Sequence, residues 1–329
     1  MKLSAFTVVD GATNADATAS SRLNDVVGLA EAAEEGGLAN VWVAEHHFHP
    51  GGLCPSPPVL LAACGARTRR IGLGAMVSVL PFHRPIELAE QYAMVDRLTE
   101  GRLRLGVGSG YIPLEFEGFG VDPAGKRPIF DRHLAVLLAA FDGQEVRSEE
   151  PGASPVRLNV LPVQRPHPPL WIAVQRREAI PYVARRGASL ALVPYATVPD
   201  RAALAEEIRE FREALPAGRS AEVAVALHLY AGEHADRARK ALDRFLTSRL
   251  RTQSTFYSEK VRREPDHASP EALEKAGFVL FGSARDVASR LADYRTIGVD
   301  EILGIFDFGD LDRSTVAGSI CALGSAFVR

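Results

Sequence analysis

IGLGAMVSVLPFHRPIELAEQYAMVDRLTEGRLRLGVGSGY, residues 71–111, carries the pattern that decides the fold. Its first part is β-rich, with small and branched apolar residues, and reads as a strand over 70–79. Prolines at Pro81 and Pro85 mark a turn, and apolar residues at helical spacing follow over 84–99. A second strand, 102–108, ends in Gly108-Ser109-Gly110. Strand, helix and strand in this order form one βα unit of a parallel sheet.

The same order recurs on both sides. Strands are expected at 2–9, 40–45, 70–79, 102–108, 169–174, 189–194, 222–230 and 300–306. Helices are expected at 20–36, 56–67, 84–99, 127–142, 176–187, 200–214, 234–252, 284–297 and 312–328. Eight strand-then-helix units match a (β/α)8 TIM barrel, because a parallel sheet removes both its edges only by closing. The other arrangement is an open doubly wound sheet, but no GxGxxG opens a helix after the first strand. Gly106 to Gly110 offers GxGxG, yet the next helix is expected only at about 127. The reading is therefore one barrel domain over 1–329 with two inserts. The first, 143–168, reads as a β-hairpin excursion. The second, 253–283, follows the seventh strand and contains charges, prolines and one short apolar strand. Its part from Tyr257 to Pro270 is expected to be a mobile lid.

Composition narrows the function. The 329 residues are 47% hydrophobic and 24% charged, with a formal charge of -3. That is an ordinary globular chain without the electrostatic footprint of a nucleic-acid or anionic-membrane binder. The three cysteines (Cys54, Cys64, Cys321) lack CxxC spacing, which argues against a disulfide framework or structural zinc and for a cytoplasmic setting. The start, MKLSAFTVVDGA, reads as a first strand rather than a signal sequence, and no stretch has the length of a membrane helix.

At residues 41–57, VWVAEHHFHPGGLCPSP, an apolar strand ends in Glu45, His46, His47 and His49. In a barrel this is the catalytic end. Metal ligation, proton transfer and a solvated cap are the three readings. His47 and His49, two apart, would point to one side of an extended chain, as a ligand pair would. Only His228 and Asp307 offer further ligands, so no metal is assigned. Gly108, Ser109 and Gly110 allow either a tight turn or the close approach of a planar ligand.

Several blocks then carry a resemblance: W-x-x-E-H-H-F (Trp42 to Phe48), VLPFHRP (Val79 to Pro85), LAEQYAMVDRLTEGRLRLGVGSG (Leu88 to Gly110) and EFEGFGVD (Glu115 to Asp122). Weaker ones are FGSARDVASRL (Phe281 to Leu291) and GVDEILGIF (Gly298 to Phe306). In this order they resemble the bacterial-luciferase-like flavin-dependent monooxygenases. The resemblance implies a barrel, usually a homodimer, that binds reduced FMN. It also implies that oxygen adds to the flavin as a C4a-peroxyflavin and that a small organic substrate, such as a secondary metabolite, is oxygenated.

It further implies that His46 is the catalytic imidazole beside the flavin, with His47 and Glu45 lining the same pocket. Ala75, Met76 and Val77 would form the wall under the ring, with a bulge and a cis Met76–Val77 peptide. Since no NAD(P)H fingerprint is present, a separate flavin reductase is the expected partner. The chain departs from the family where the flavin phosphate is held, with Ser109 and Val174-Gln175 in place of an arginine and a Glu-Ser pair. Gln175, Arg176 and Arg177 are the substitutes considered. This leaves open an F420-dependent oxidoreductase, and a flavin-binding subunit without catalysis.

Overall fold

A computed structural model describes residues 1–13, 18–256 and 269–327. Nine parallel strands occur among them: β1 Lys2–Thr7, β2 Asn40–Val43, β3 Gly72–Val79, β4 Leu103–Gly108, β5 Leu170–Val174, β6 Ser189–Leu192, β7 Val223–Ala231, β8 Val279–Gly282 and β9 Glu301–Ile305. β1 to β7 pair in sequence order, and β9 joins β7 to β1, closing an eight-stranded barrel. β8 pairs only with the second half of β7, from His228↔Val279 to Ala231↔Gly282, and lies outside the ring.

The helices are α1 Ala19–Glu35, α2 Pro57–Arg67, α3 Pro85–Leu98, α4 Pro113–Phe119, α5 Lys126–Phe141, α6 Ile180–Arg185, α7 Arg201–Ala214, α8 Ala235–Phe256, α9 Pro270–Ala276, α10 Ala284–Thr296 and α11 Arg313–Phe327. Prolines start α2, α3, α4 and α9, where the missing N–H costs nothing. Thr18, Asp200, Ser269 and Ser283 cap α1, α7, α9 and α10 with side-chain oxygens.

Strands covered on both faces should be apolar almost throughout, and all nine residues of β7 (VAVALHLYA) are buried. Inside the barrel, Trp42 of β2 meets Trp171 of β5 edge to face at 5.0 Å. Gly74 makes room for this, since a Cβ there would lie 2.2 Å from the Trp42 ring. Buried Glu301 ties three neighbouring strands together. Its Oε1 accepts from Ser4 Oγ at 2.6 Å, Asn40 Nδ2 at 2.8 Å and Trp42 Nε1 at 2.8 Å.

The sequence-based reading needs three adjustments. α4 follows β4 directly, where no helix is expected before 127; seven residues with Gly118 inside and Gly120 after are too short to show a helical period. The 143–168 hairpin reduces to a single antiparallel bridge, Val146↔Val156. The 253–283 insert contributes the end of α8, α9 and β8, while the lid expected at Tyr257 to Pro270 falls largely on residues outside the described set. No helix among the described residues is long and apolar enough to cross a membrane.

Candidate active site

At the β3–β4 seam, Ala75 pairs with Leu105 and Ser78 with Val107, so β3 carries one extra residue there. The Met76–Val77 peptide in this bulge is cis, as the resemblance implies. β4 receives it through two glycines. A Cβ on Gly106 would lie 2.4 Å from the Ala75 carbonyl oxygen, and one on Gly108 would lie 2.7 Å from Val77 Cγ2. Ala75 and Met76 are buried in the barrel wall, while Val77 is half-buried beside it.

The tip of β2 is organised by two buried carboxylates. Glu45 accepts from His47 Nε2 at 3.0 Å, from His83 Nε2 at 2.9 Å and, through Oε2, from the Val79 N–H at 3.2 Å. Burial alone would raise its pKa, but the hydrogen bonds and charges of His47 and His83 bring it below the ordinary value. The second carboxylate comes from α4. Glu115 Oε1 accepts the His47 N–H at 2.9 Å and lies 3.1 Å from His46 Nδ1 and 3.3 Å from His49 Nε2. Burial again pushes upward, but hydrogen bonds from His46 and His49, the His46 charge and the His47 N–H hold it at about 2.

The three histidines therefore divide. His46 and His49 meet on Glu115, while His47 turns to Glu45 and packs edge-on against Phe119 at 4.7 Å. His47 and His49 do not act as a same-side pair, because Phe48 between them has φ +63° and breaks the extended alternation. Nor do Glu45 and His47 contact His46 through hydrogen bonds; they hold up the neighbouring β3 tip. His228 lies inside β7 among Tyr195, Phe245 and Phe308, away from the strand ends. Asp307, just past β9, accepts from Thr7 Oγ1 at 2.5 Å, and burial pushes its pKa up to about 6.

His46 is the ring with chemical freedom. Facing an ionised carboxylate, its Nδ1 carries the proton, so a neutral ring presents Nε2 as an acceptor. Its side chain retains 12% exposure, more than His47 or His49, and its ring meets Tyr111 edge-on. Beside it is a cavity of about 20 Å³ bordered by Val8, Asp10, His46, His49, Gly51 and Arg249. A larger groove of about 650 Å³ lies at the other end of the barrel, beside Met1, Arg295 and Phe327, far from these groups.

Gly108, Ser109 and Gly110 form the tip of β4. Lys126, at the start of α5, donates from Nζ to the Gly110 carbonyl at 2.7 Å. Burial and the charge of Arg176 both lower its pKa, which places the two cations close together. Neither has a carboxylate partner among the described residues. Arg177 is instead committed to Glu210 at 2.8 Å and Glu206 at 3.5 Å on α7, and Gln175 is exposed. Sequence reading missed Glu115, His83 and Lys126. The first two lie inside quoted motifs, and a cluster of imidazoles needing a counter-charge is the signal that points to Glu115.

Comparison with known proteins adds the following. Residues 1–301 match the sequence model of the family described as luciferase-like monooxygenase. An uncharacterised protein of Sinorhizobium fredii is 37% identical over 179 residues, 54% of this chain and 52% of that one. The chain thus spans about half the length of that relative. The oxygenase component of a flavin-dependent trigonelline monooxygenase from Acinetobacter baylyi is 24% identical, covering 87% of this chain and 84% of its own. Among solved structures, the oxygenating constituent of 3,6-diketocamphane monooxygenase from Pseudomonas putida, in complex with FMN, has a TM-score of 0.82 at 17% identity, covering 99% and 97% of the two chains. An F420-dependent secondary alcohol dehydrogenase shares the fold at a TM-score of 0.72 and 15% identity, with coverage of 100% and 99%.

Proposed function

Because this chain belongs to the luciferase-like monooxygenase family, we propose that it is the oxygenase of a two-component system, using reduced FMN from a separate reductase. The observation that carries this reading is His46, held by Glu115 through Nδ1 at the mouth of the barrel.

The residues present suit a flavin mononucleotide. Lys126 and Arg176, two cations without carboxylate partners among the described residues, form a donor set for a phosphate dianion at the tips of β4 and β5. Val77 and Gly108 supply a small-residue wall beside them. Reduced flavin, when bound, supplies the activation of O2. Lys126 and Arg176 would hold its phosphate, and Tyr111 and the β3 bulge would keep water from the ring. His46 Nε2 accepts or returns the proton that moves as oxygen is transferred, while Glu115 stabilises the imidazolium. In sum, reduced flavin, O2 and an organic substrate give oxidised flavin, water and the monooxygenated product.

The substrate is proposed to be small and apolar, because Phe48, Phe82, Phe116 and Phe119 form an aromatic group beside the β2 and β3 tips. A homodimer is proposed from Val59 on α2 and Met94 and Leu98 on α3, which are 70%, 54% and 67% exposed on helices packed side by side. Three free thiols suit a reducing, cytoplasmic setting. An F420-dependent oxidoreductase is the second reading, since the fold is shared with such an enzyme.

The test uses an added flavin reductase, FMN and ¹⁸O2 with a panel of small apolar ketones and alkenes. One ¹⁸O atom should enter the product, and His46→Ala should reduce this by about a hundredfold or more while remaining folded. If all oxygen is recovered as hydrogen peroxide across the panel, the oxygenase reading fails.

A further inference from the structure

We propose that His46, His49 and Glu115 form a binding site for a first-row divalent transition ion, Zn²⁺ in particular, and that its occupation switches His46 off. Site and ion are inferred from geometry alone; only the consequence for activity rests on the role given to His46 above.

The three ligand atoms lie within 4.8 Å of one another. Two of the separations, 3.1 Å from His46 Nδ1 and 3.3 Å from His49 Nε2 to the shared Glu115 oxygen, resemble those around a zinc ion. With metal–ligand bonds of about 2.0–2.1 Å, tetrahedral ligands sit about 3.3 Å apart. An ion can therefore replace the two bridging hydrogens after small side-chain shifts; the proton of His49 then moves to Nδ1, which must give up the Gly51 N–H it accepts at 3.2 Å. Two neutral imidazoles and one carboxylate are a donor set that zinc favours.

A fourth position is available. The cavity of about 20 Å³ next to His46 and His49 is large enough for one water. Asp10 borders it and offsets the ion's charge, while Arg249 on the same wall favours water or hydroxide over a second cation. Second partners are also in place for the carboxylate, which keeps the His47 N–H at 2.9 Å.

Inhibition follows from the tautomer. Without an ion, Nδ1–H faces Glu115 and Nε2 is the acceptor. An ion on Nδ1 takes that lone pair, and the ring proton must sit on Nε2, pointing towards the reaction site. No proton is lost overall, but the ring can no longer accept one there. The same ion removes Glu115 from His46, and with it the charge that stabilises an imidazolium.

The test is made on the full chain without flavin, so its failure is separate from failure of the oxygenase reading. Chelator-stripped protein is titrated with Zn²⁺ against a chromogenic chelator at neutral pH. One tight site per chain is expected, at least tenfold weaker in His49→Ala and in Glu115→Gln, and unchanged in His234→Ala, which removes an exposed histidine. Co²⁺ in place of Zn²⁺ should give the visible bands of a four- or five-coordinate ion, a readout that needs no variant to fold. Equal zinc affinity in the wild type and a folded His49→Ala, or a six-coordinate Co²⁺ spectrum, would overturn the proposal.

Discussion

Glu115 reaches His46 across 69 positions of sequence, and its Oε1 rests 3.1 Å from His46 Nδ1. One carboxylate on a short helix after β4 thus sets the orientation and tautomer of an imidazole at the tip of β2. It also accepts the backbone N–H of His47, so it fixes the loop as well as the ring.

Glu115→Gln should therefore lower turnover by roughly ten- to a hundredfold with little change in flavin affinity, as the loss of a partner that orients a functional group does. Glutamine can still hydrogen-bond but cannot stabilise an imidazolium. Steady-state kinetics alongside reduced-FMN binding checks this, and a variant with wild-type turnover would remove Glu115 from the mechanism.

Lys126→Met keeps the apolar stem and removes the charge. FMN should then bind about ten- to a hundredfold more weakly, the scale of one lost charge-assisted bond, while riboflavin, lacking the phosphate, should bind as before. Fluorescence titration with both flavins separates this from a structural role through the Gly110 carbonyl, which would weaken both alike.

Glu207 on α7 gives a prediction for stability. Burial, opposed by the Arg177 charge and assisted by those of Glu210 and Glu178, pushes its carboxyl up to about 7 from an ordinary 4.5. Below pH 4.5 it is protonated whether folded or not. Between 4.5 and 7 the unfolded chain loses the proton first, so stability falls as pH rises and the full penalty is present above 7. Glu207→Gln should be nearly neutral at pH 4.5 and stabilising by roughly 2–3 kcal/mol at pH 8. Denaturant unfolding at the two pH values decides it, and equal effects at both would contradict the account.

Leu98→Glu combined with Met94→Glu should convert a dimer to a monomer, since charge on an apolar contact face opposes association. Light scattering at micromolar concentration reads the outcome. A wild type that is already monomeric would dismiss the α2–α3 face as an interface.

The barrel was legible because strands buried on both sides must be apolar along their length, which is what Val223–Ala231 and Gly72–Val79 display. The short apolar strand expected in the 253–283 insert is β8, whereas α4 was harder to read, because seven residues are too few for a period to stand out. At the site, the acid and histidines after Trp42 were visible as a cluster, but their division was not. It depends on the turn at Phe48, whose positive φ no composition rule requires. Glu115 and Lys126 act on groups 69 and 16 positions away, distances that tertiary structure alone closes. Arg177 looked like an anion-binding residue, yet two glutamates of α7 take its charge.

The measurement closest to the central claim compares reduced cofactors. Protein, reduced FMN and reduced F420 are brought to equilibrium anaerobically by dialysis, and the retained cofactor is quantified before air is admitted with an apolar substrate. Reduced FMN should be retained, about one per chain, and its oxidation by O2 should accompany formation of oxygenated product. Retention of reduced F420 in preference to FMN, with oxidation of the cofactor that does not require O2, would contradict the flavin-dependent monooxygenase proposed for this chain.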